Sequence, residues 1–196
     1  MVNKDIKIVI GVPCSDTFAM RAMTAQSIGG AIIGADGMVI DMILRRSCDI
    51  VSNRTWLVNE ALKKDATHIL FVDCDMMFPC DVIPMLLAHD KEIVGVEYFK
   101  RTFPKEGVFK PMTEKSDTLY EAEYTGMGLM LIKLSIFEKL GIEGDKRTPW
   151  FNFGRDSQGA LAMGEDAWFA NVARDSGIKT WIDPRVRVGH IGEYCF

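Results

Sequence analysis

The stretch His68-Ile69-Leu70-Phe71-Val72-Asp73-Cys74-Asp75-Met76-Met77-Phe78-Pro79 decides how the rest of this chain reads. Ile69 to Val72 is a short apolar run bounded by polar residues, as in a strand buried in a sheet. Two carboxylates follow, two residues apart, where such a strand leaves its sheet. In open α/β sheets, ligands bind at the carboxyl ends of the strands. A turn there lets Asp73 and Asp75 reach one crevice. Paired carboxylates suit a hard divalent cation that a nucleotide diphosphate can share. The competing reading makes them turn or capping residues ahead of a helix at Pro79.

Working outward, strands and helices alternate. Ile6 to Val12 reads as a buried strand ending at Pro13, and Thr17 to Ile33 as a helix closing near Gly34. Met38 to Leu44 is a second strand. Ser52 can cap a helix over Asn53 to Lys64, with Leu57, Val58, Ala61 and Leu62 on one face. Pro79 to Ala88 is a short helix if Pro84 lies in its first turn. Ile93 to Tyr98 is a strand. The back half is more mixed, with strands over Tyr120 to Tyr124 and Leu129 to Ile132. A helix over Glu165 to Ser176 follows, then strands at Thr180 to Ile182 and Val186 to Val188. This order predicts one α/β domain over residues 1–196, its sheet mostly parallel with an antiparallel addition.

Two further groups carry possible chemistry. His190 lies between Gly189 and Gly192, after a short strand-like run. Alone it reads as a surface histidine; beside an acidic pair it becomes a candidate third ligand. Imidazole, carboxylate and phosphate oxygens together suit Mn²⁺, with Mg²⁺ also admissible. Glu165 and Asp166 open the last helix, where the helix dipole favours carboxylates. The same position would keep one of them ionised as a base for an acceptor hydroxyl. Trp150, Phe151 and Trp168 lie near this segment, but aromatics so placed usually belong to a core.

Composition narrows the classes. The net charge of −4, with Lys and Arg scattered, gives no footprint for nucleic acid or an anionic membrane. No apolar run is long enough to span a bilayer. Five cysteines without a C-x-x-C pair suggest neither a zinc site nor a disulfide framework, and a cytoplasmic setting is expected.

Taken in order, five segments resemble the GT-A glycosyltransferases, especially family 2-like bacterial and phage members. They are Asp73-Cys74-Asp75, Gly126-Met127-Gly128-Leu129-Met130-Leu131-Ile132, Gly164-Glu165-Asp166-Ala167-Trp168-Phe169, Gly177 to Pro184, and Val188-Gly189-His190. The resemblance implies a metal-dependent enzyme that moves a sugar from a UDP- or GDP-sugar to a hydroxyl of a glycan, lipid or protein. It implies that Asp75 and His190 ligate the metal, and that Asp73 assists them or contacts the donor's ribose and sugar. Pro13, Ser15 and Asp16 would hold the nucleoside, and Gly126 and Gly128 would leave room for the donor sugar. Asp166, or else Glu165, would serve as base. Arg54 matches the arginine of an Arg-Asn pair in such members, but Thr55 replaces the asparagine. Arg54 reads equally well as a helix-surface arginine.

Other classes fit less well. A haloacid-dehalogenase-type phosphatase places its Asp-x-Asp on the first strand, and a dinucleotide-binding oxidoreductase needs a G-x-G-x-x-G that is absent after Val12. A nucleotidyltransferase or an inactive sugar-nucleotide-binding module remain as alternatives.

Overall fold

In the computed structural model, which describes residues 5–15, 19–143 and 146–192, the run around Phe71 becomes the third strand. β1 (Ile8–Cys14), β2 (Val39–Arg46) and β3 (His68–Val72) are parallel neighbours. Beside β3 lies β8 (Leu129–Lys133), antiparallel to it and to β5 (Ile93–Val96) on its other side. β13 (Thr180–Asp183) runs parallel to β5. β7 (Tyr120–Thr125) and β6 (Phe109–Pro111) complete the edge with antiparallel pairings. The sheet order is β2-β1-β3-β8-β5-β13-β7-β6. The antiparallel addition therefore includes a central strand as well as the edge.

Alternation along β1 and β3 explains why both are wholly buried. Ile8, Ile10, Val12, Leu70 and Val72 face one layer, where they meet α1 (Ala22–Gly34) and α3 (Val82–Leu87). Val9, Ile69 and Phe71 face the other, against α2 (Ile50–Lys63), while α4 (Glu165–Asp175) covers the same face over β7 and β13. Helices cover both faces, so the strands read as continuous apolar runs. Phe151 is fully buried in the second layer with Phe71, Phe137 and Phe169 around it. It is core, and Trp150 and Trp168 donate their indole N–H groups to Leu140 and Pro149 carbonyls at 3.1 and 3.0 Å.

Several boundaries differ from the sequence reading: the short helix begins at Val82 rather than Pro79, with Pro84 in its first turn, and the strand from Ile93 ends at Val96 rather than Tyr98. The first helix starts at Ala22, and Thr17 lies outside the described residues. The second helix starts at Ile50 because Asp49 is its cap, accepting from the Val51 N–H at 3.0 Å. Ser52 turns back onto Asp49 instead of capping. Val186 to Val188 is not a strand. The short pair β4 (Met76–Met77) and β14 (Gly189–His190) forms just beyond it. The remaining strands, β9 (Ile142–Glu143), β10 (Lys146–Arg147), β11 (Gly154–Arg155) and β12 (Leu161–Met163), form two small ribbons off the main sheet. Among the described residues no helix is long and apolar enough to cross a membrane.

His68, at the start of β3, is buried, and burial followed by the nearby Lys133 charge lowers its pKa to about 4. The unfolded chain therefore binds a proton between about pH 6.5 and 4 that the native state refuses, so stability is full above that window and falls on acidification. Allowing for partial screening, the loss is roughly 1–3 kcal/mol. Urea unfolding at pH 7 and 4.5 should show it, and His68→Gln should flatten that part of the profile.

Candidate functional site

The turn after β3 is held from three sides. The Asp73 N–H donates to the Gly128 carbonyl at 2.9 Å, which ties the end of β3 to the start of β8. The Arg21 N–H donates to the Cys74 carbonyl at 2.9 Å, and the Ile191 N–H donates to the Asp75 carbonyl at 2.8 Å. The last bond continues the β4–β14 pairing, in which His190 lies opposite Met76. A segment more than a hundred residues downstream is thereby stitched to the acidic turn.

His190 Nε2 lies 3.5 Å from Asp75 Oδ1, and its Nδ1 lies 2.9 Å from the Phe99 carbonyl oxygen. A carbonyl only accepts, so Nδ1 carries a proton and Nε2 is the nitrogen free to titrate or to ligate. The Asp75 carboxylate raises the His190 pKa above the ordinary histidine value, against burial. Burial pushes the Asp75 carboxyl up, but His190 and Arg101 outweigh it and hold it below the usual range. The second oxygen, Oδ2, is 2.7 Å from Arg101 Nη1.

Asp73 faces elsewhere. Its Oδ1 accepts from Arg54 Nη2 at 3.1 Å, and Arg54 Nε lies 3.4 Å from Glu165 Oε1. Arg54 is 2% exposed, so it is no helix-surface residue. Its guanidinium sits over the Phe71 ring, 5.2 Å from the centroid. Burial alone would lower the Arg54 pKa, but Asp73 and Glu165 together raise it, and it stays charged. It links the acidic turn to the first turn of α4.

Asp166 has a different environment. Its Oδ1 accepts from the Ala167 N–H at 2.7 Å. Burial, then the Glu165 charge, raise its pKa. The expectation that the helix start holds this carboxyl down is thus reversed: desolvation beside a second carboxylate outweighs the dipole.

Pro13, Ser15, Arg54, Asp73, Asp75, Glu165 and His190 line one open cleft of about 300 Å³, at the carboxyl ends of β1 and β3. Cys74 and Arg101 join them there. Asp166, Gly126 and Gly128 do not line that cleft, and Asp16 lies outside the described residues. The two glycines make room for Tyr98, not for open space. A Cβ on Gly126 would come within 2.1 Å of Tyr98 Oη, and one on Gly128 within 3.0 Å. The Tyr98 hydroxyl accepts from the Gly128 N–H at 3.1 Å. Gly126→Ala should therefore cost about 1–3 kcal/mol through overpacking. Chemical denaturation should show part of that cost recovered in a Tyr98→Phe background.

Among the described residues, no group of three or more His, Cys, Asp or Glu side chains is placed to hold a metal ion. The expected trio divides: Asp75 and His190 face each other, while Asp73 is turned to Arg54. Two protein donors on one side still leave a cation free for phosphate oxygens. The bond from His190 Nδ1 to the Phe99 carbonyl is the kind of outer contact that orients a ligating imidazole. In that sense the residues present fit a divalent cation.

Sequence reasoning missed Arg101 and Asn53. Asn53 Nδ2 donates to the Cys14 carbonyl at 3.1 Å and fixes the end of β1 beside the cleft. Its spacing with Leu57 and Ala61 on one helix face was the available signal.

Comparison with solved structures reveals the same architecture. The chain is similar to A197 from STIV, with a TM-score of 0.64 and 18% identity over 96% of this chain and 87% of that one. It is also similar to GalNAc-T7, whose crystal structure contains UDP, GalNAc and Mn²⁺, with a TM-score of 0.55 and 14% identity over 95% of this chain. The fold is GT-A-like. At such identities the likeness establishes the fold alone, and this chain spans 44% of the GalNAc-T7 chain. No protein-family profile matches the sequence, and no curated protein matches it.

Proposed function

We propose that this chain is a metal-dependent glycosyltransferase that moves a sugar from a nucleoside-diphosphate donor, UDP- or GDP-linked, to a hydroxyl acceptor. The observation that carries this reading is the facing of Asp75 Oδ1 and His190 Nε2 across 3.5 Å, in a cleft at the strand ends of a GT-A-like sheet. Asp75 and His190 would hold Mn²⁺ or Mg²⁺ from one side. When bound, the cation would supply Lewis-acid stabilisation of the departing diphosphate. Pro13 and Ser15 would border the nucleoside. Arg54 fixes Asp73 at the cleft wall; burial raises the Asp73 pKa, and the Arg54 charge opposes that rise. The proposed proton acceptor for the attacking hydroxyl is Asp166, whose raised pKa makes it the stronger base but which stands just outside the cleft lining, or else Glu165, which lines it.

Thermal unfolding with UDP or GDP, with Mn²⁺ or with EDTA, tests this. At a ligand concentration about a hundred times Kd the stabilisation is about 2.7 kcal/mol, or a Tm rise on the order of 5–10 °C. The rise should require both nucleotide and metal, and should vanish in Asp75→Asn. Equal stabilisation in EDTA would remove the cation from the reading.

A further inference from the structure

Arg101 is the one partner of Asp75 that a cation site does not need. It stands on the segment between β5 and β6, where a hairpin is closed by two bonds. The Lys100 N–H donates to the Glu106 carbonyl at 2.8 Å, and the Val108 N–H donates to the Tyr98 carbonyl at 2.9 Å. The backbone is thus fixed, but the Arg101 side chain is 47% exposed. Its strong polar contact is with Asp75 Oδ2 at 2.7 Å, and a weaker one reaches the Ile191 carbonyl at 3.5 Å. Its stem only passes over Gly192. A second open cavity, of about 220 Å³, lies on its other side, lined also by Lys100, Lys105 and Phe103. Arg101 and His190 are the two residues that line both cavities.

The positions of the charges conflict with a loaded site. A divalent cation between Asp75 and His190 would stand against a guanidinium that already occupies the same carboxylate. Like charges at such separation repel strongly when partly buried. Phosphate oxygens, in contrast, match the planar fork of an arginine. Resting on the reading of Asp75 and His190 as cation-holding residues, we propose that Arg101 is an exchangeable counter-cation. It holds Asp75 in place when the site is empty. It leaves the carboxylate when a divalent cation arrives, and closes instead on the donor's diphosphate oxygens. The fixed hairpin backbone and half-exposed side chain allow this swing without refolding. No bond is made or broken; only the guanidinium's partner changes.

The swing predicts effects of opposite sign. Mn²⁺ binding, read from the free-ion electron paramagnetic resonance signal, is measured for the wild type, Arg101→Ala, Arg101→Lys and Asp75→Asn, alone and with UDP or GDP. In Arg101→Ala, Mn²⁺ alone should bind about 3–10-fold tighter at low salt, because a competing charge is gone. The same variant should bind the Mn²⁺-nucleoside diphosphate pair about tenfold or more weakly, as a charge-assisted contact is lost. Arg101→Lys keeps the competing charge but loses the fork, so only the second effect should appear. Both affinities unchanged, or both weakened together in a folded Arg101→Ala, overturns the exchange. If the wild type binds no Mn²⁺ and Asp75→Asn changes nothing, the cation reading fails and takes the exchange with it. If Asp75→Asn abolishes binding while Arg101→Ala is neutral, the exchange alone fails.

Discussion

Arg54→Ala should destabilise the fold by about 3–5 kcal/mol, the usual cost of removing one partner from a buried ionic cluster. The side chain is 2% exposed and lies between Asp73 Oδ1 at 3.1 Å and Glu165 Oε1 at 3.4 Å. Without it, two partly buried carboxylates face a space with no countercharge, and the Phe71 ring loses the cation above it. For a chain of this length the loss corresponds to a Tm drop of roughly 10 °C or more. Most of the cost is electrostatic, not packing. A volume-conserving Arg54→Met alone should therefore recover little. Arg54→Met combined with Asp73→Asn and Glu165→Gln should recover much more, because the uncompensated charges are gone. Denaturant unfolding of the three proteins separates the cases. A loss below about 1 kcal/mol for Arg54→Ala would mean that water reaches both carboxylates and that Arg54 does not tie the acidic turn to α4.

The contrast between Arg54 and His190 explains what the sequence could and could not convey. Buried strands announce themselves through runs such as Ile69 to Val72, and the helices through apolar spacing. The front half of the fold was therefore legible to within a few residues. Arg54 was legible in principle. It falls on the same helical stripe as Leu57, Val58 and Ala61, at spacings of three, four and seven residues, and a charged group on such a stripe is buried with partners or not stable at all. Its partners, Asp73 and Glu165, were both singled out, but nothing local joins residues so far apart. His190 reaches Asp75 only through a pair of two-residue strands, too short to leave a periodic signal. Arg101 sits in a polar hairpin whose composition resembles any surface turn. Gly126 and Gly128 misled for another reason. A glycine records that something comes close, and here the close group is Tyr98 rather than a ligand.

On the proposed function, Asp75→Asn and His190→Ala should each reduce sugar transfer about 10²–10³-fold, the scale on which loss of one preorganised charge-stabilising group is felt. The fold should hardly notice. Both side chains border an open cleft, and the backbone pairing that brings them together uses the Ile191 N–H and the Asp75 carbonyl, which neither substitution removes. The double variant is the sharper measurement. If both residues grip one cation, removing the second after the first has lost the ion should cost little more, and the two losses should be far from additive. If Asp75 merely fixes a histidine that works as an acid, raising the Mn²⁺ concentration should not rescue either variant. If they share the ion, each single variant should regain turnover at high Mn²⁺ by mass action, while the double variant should not. Steady-state rates over a Mn²⁺ series, with melting curves to confirm folding, distinguish the two. Losses that no Mn²⁺ concentration restores would assign the pair to proton transfer, and fully additive losses would mean that the two residues do not act as a unit at all.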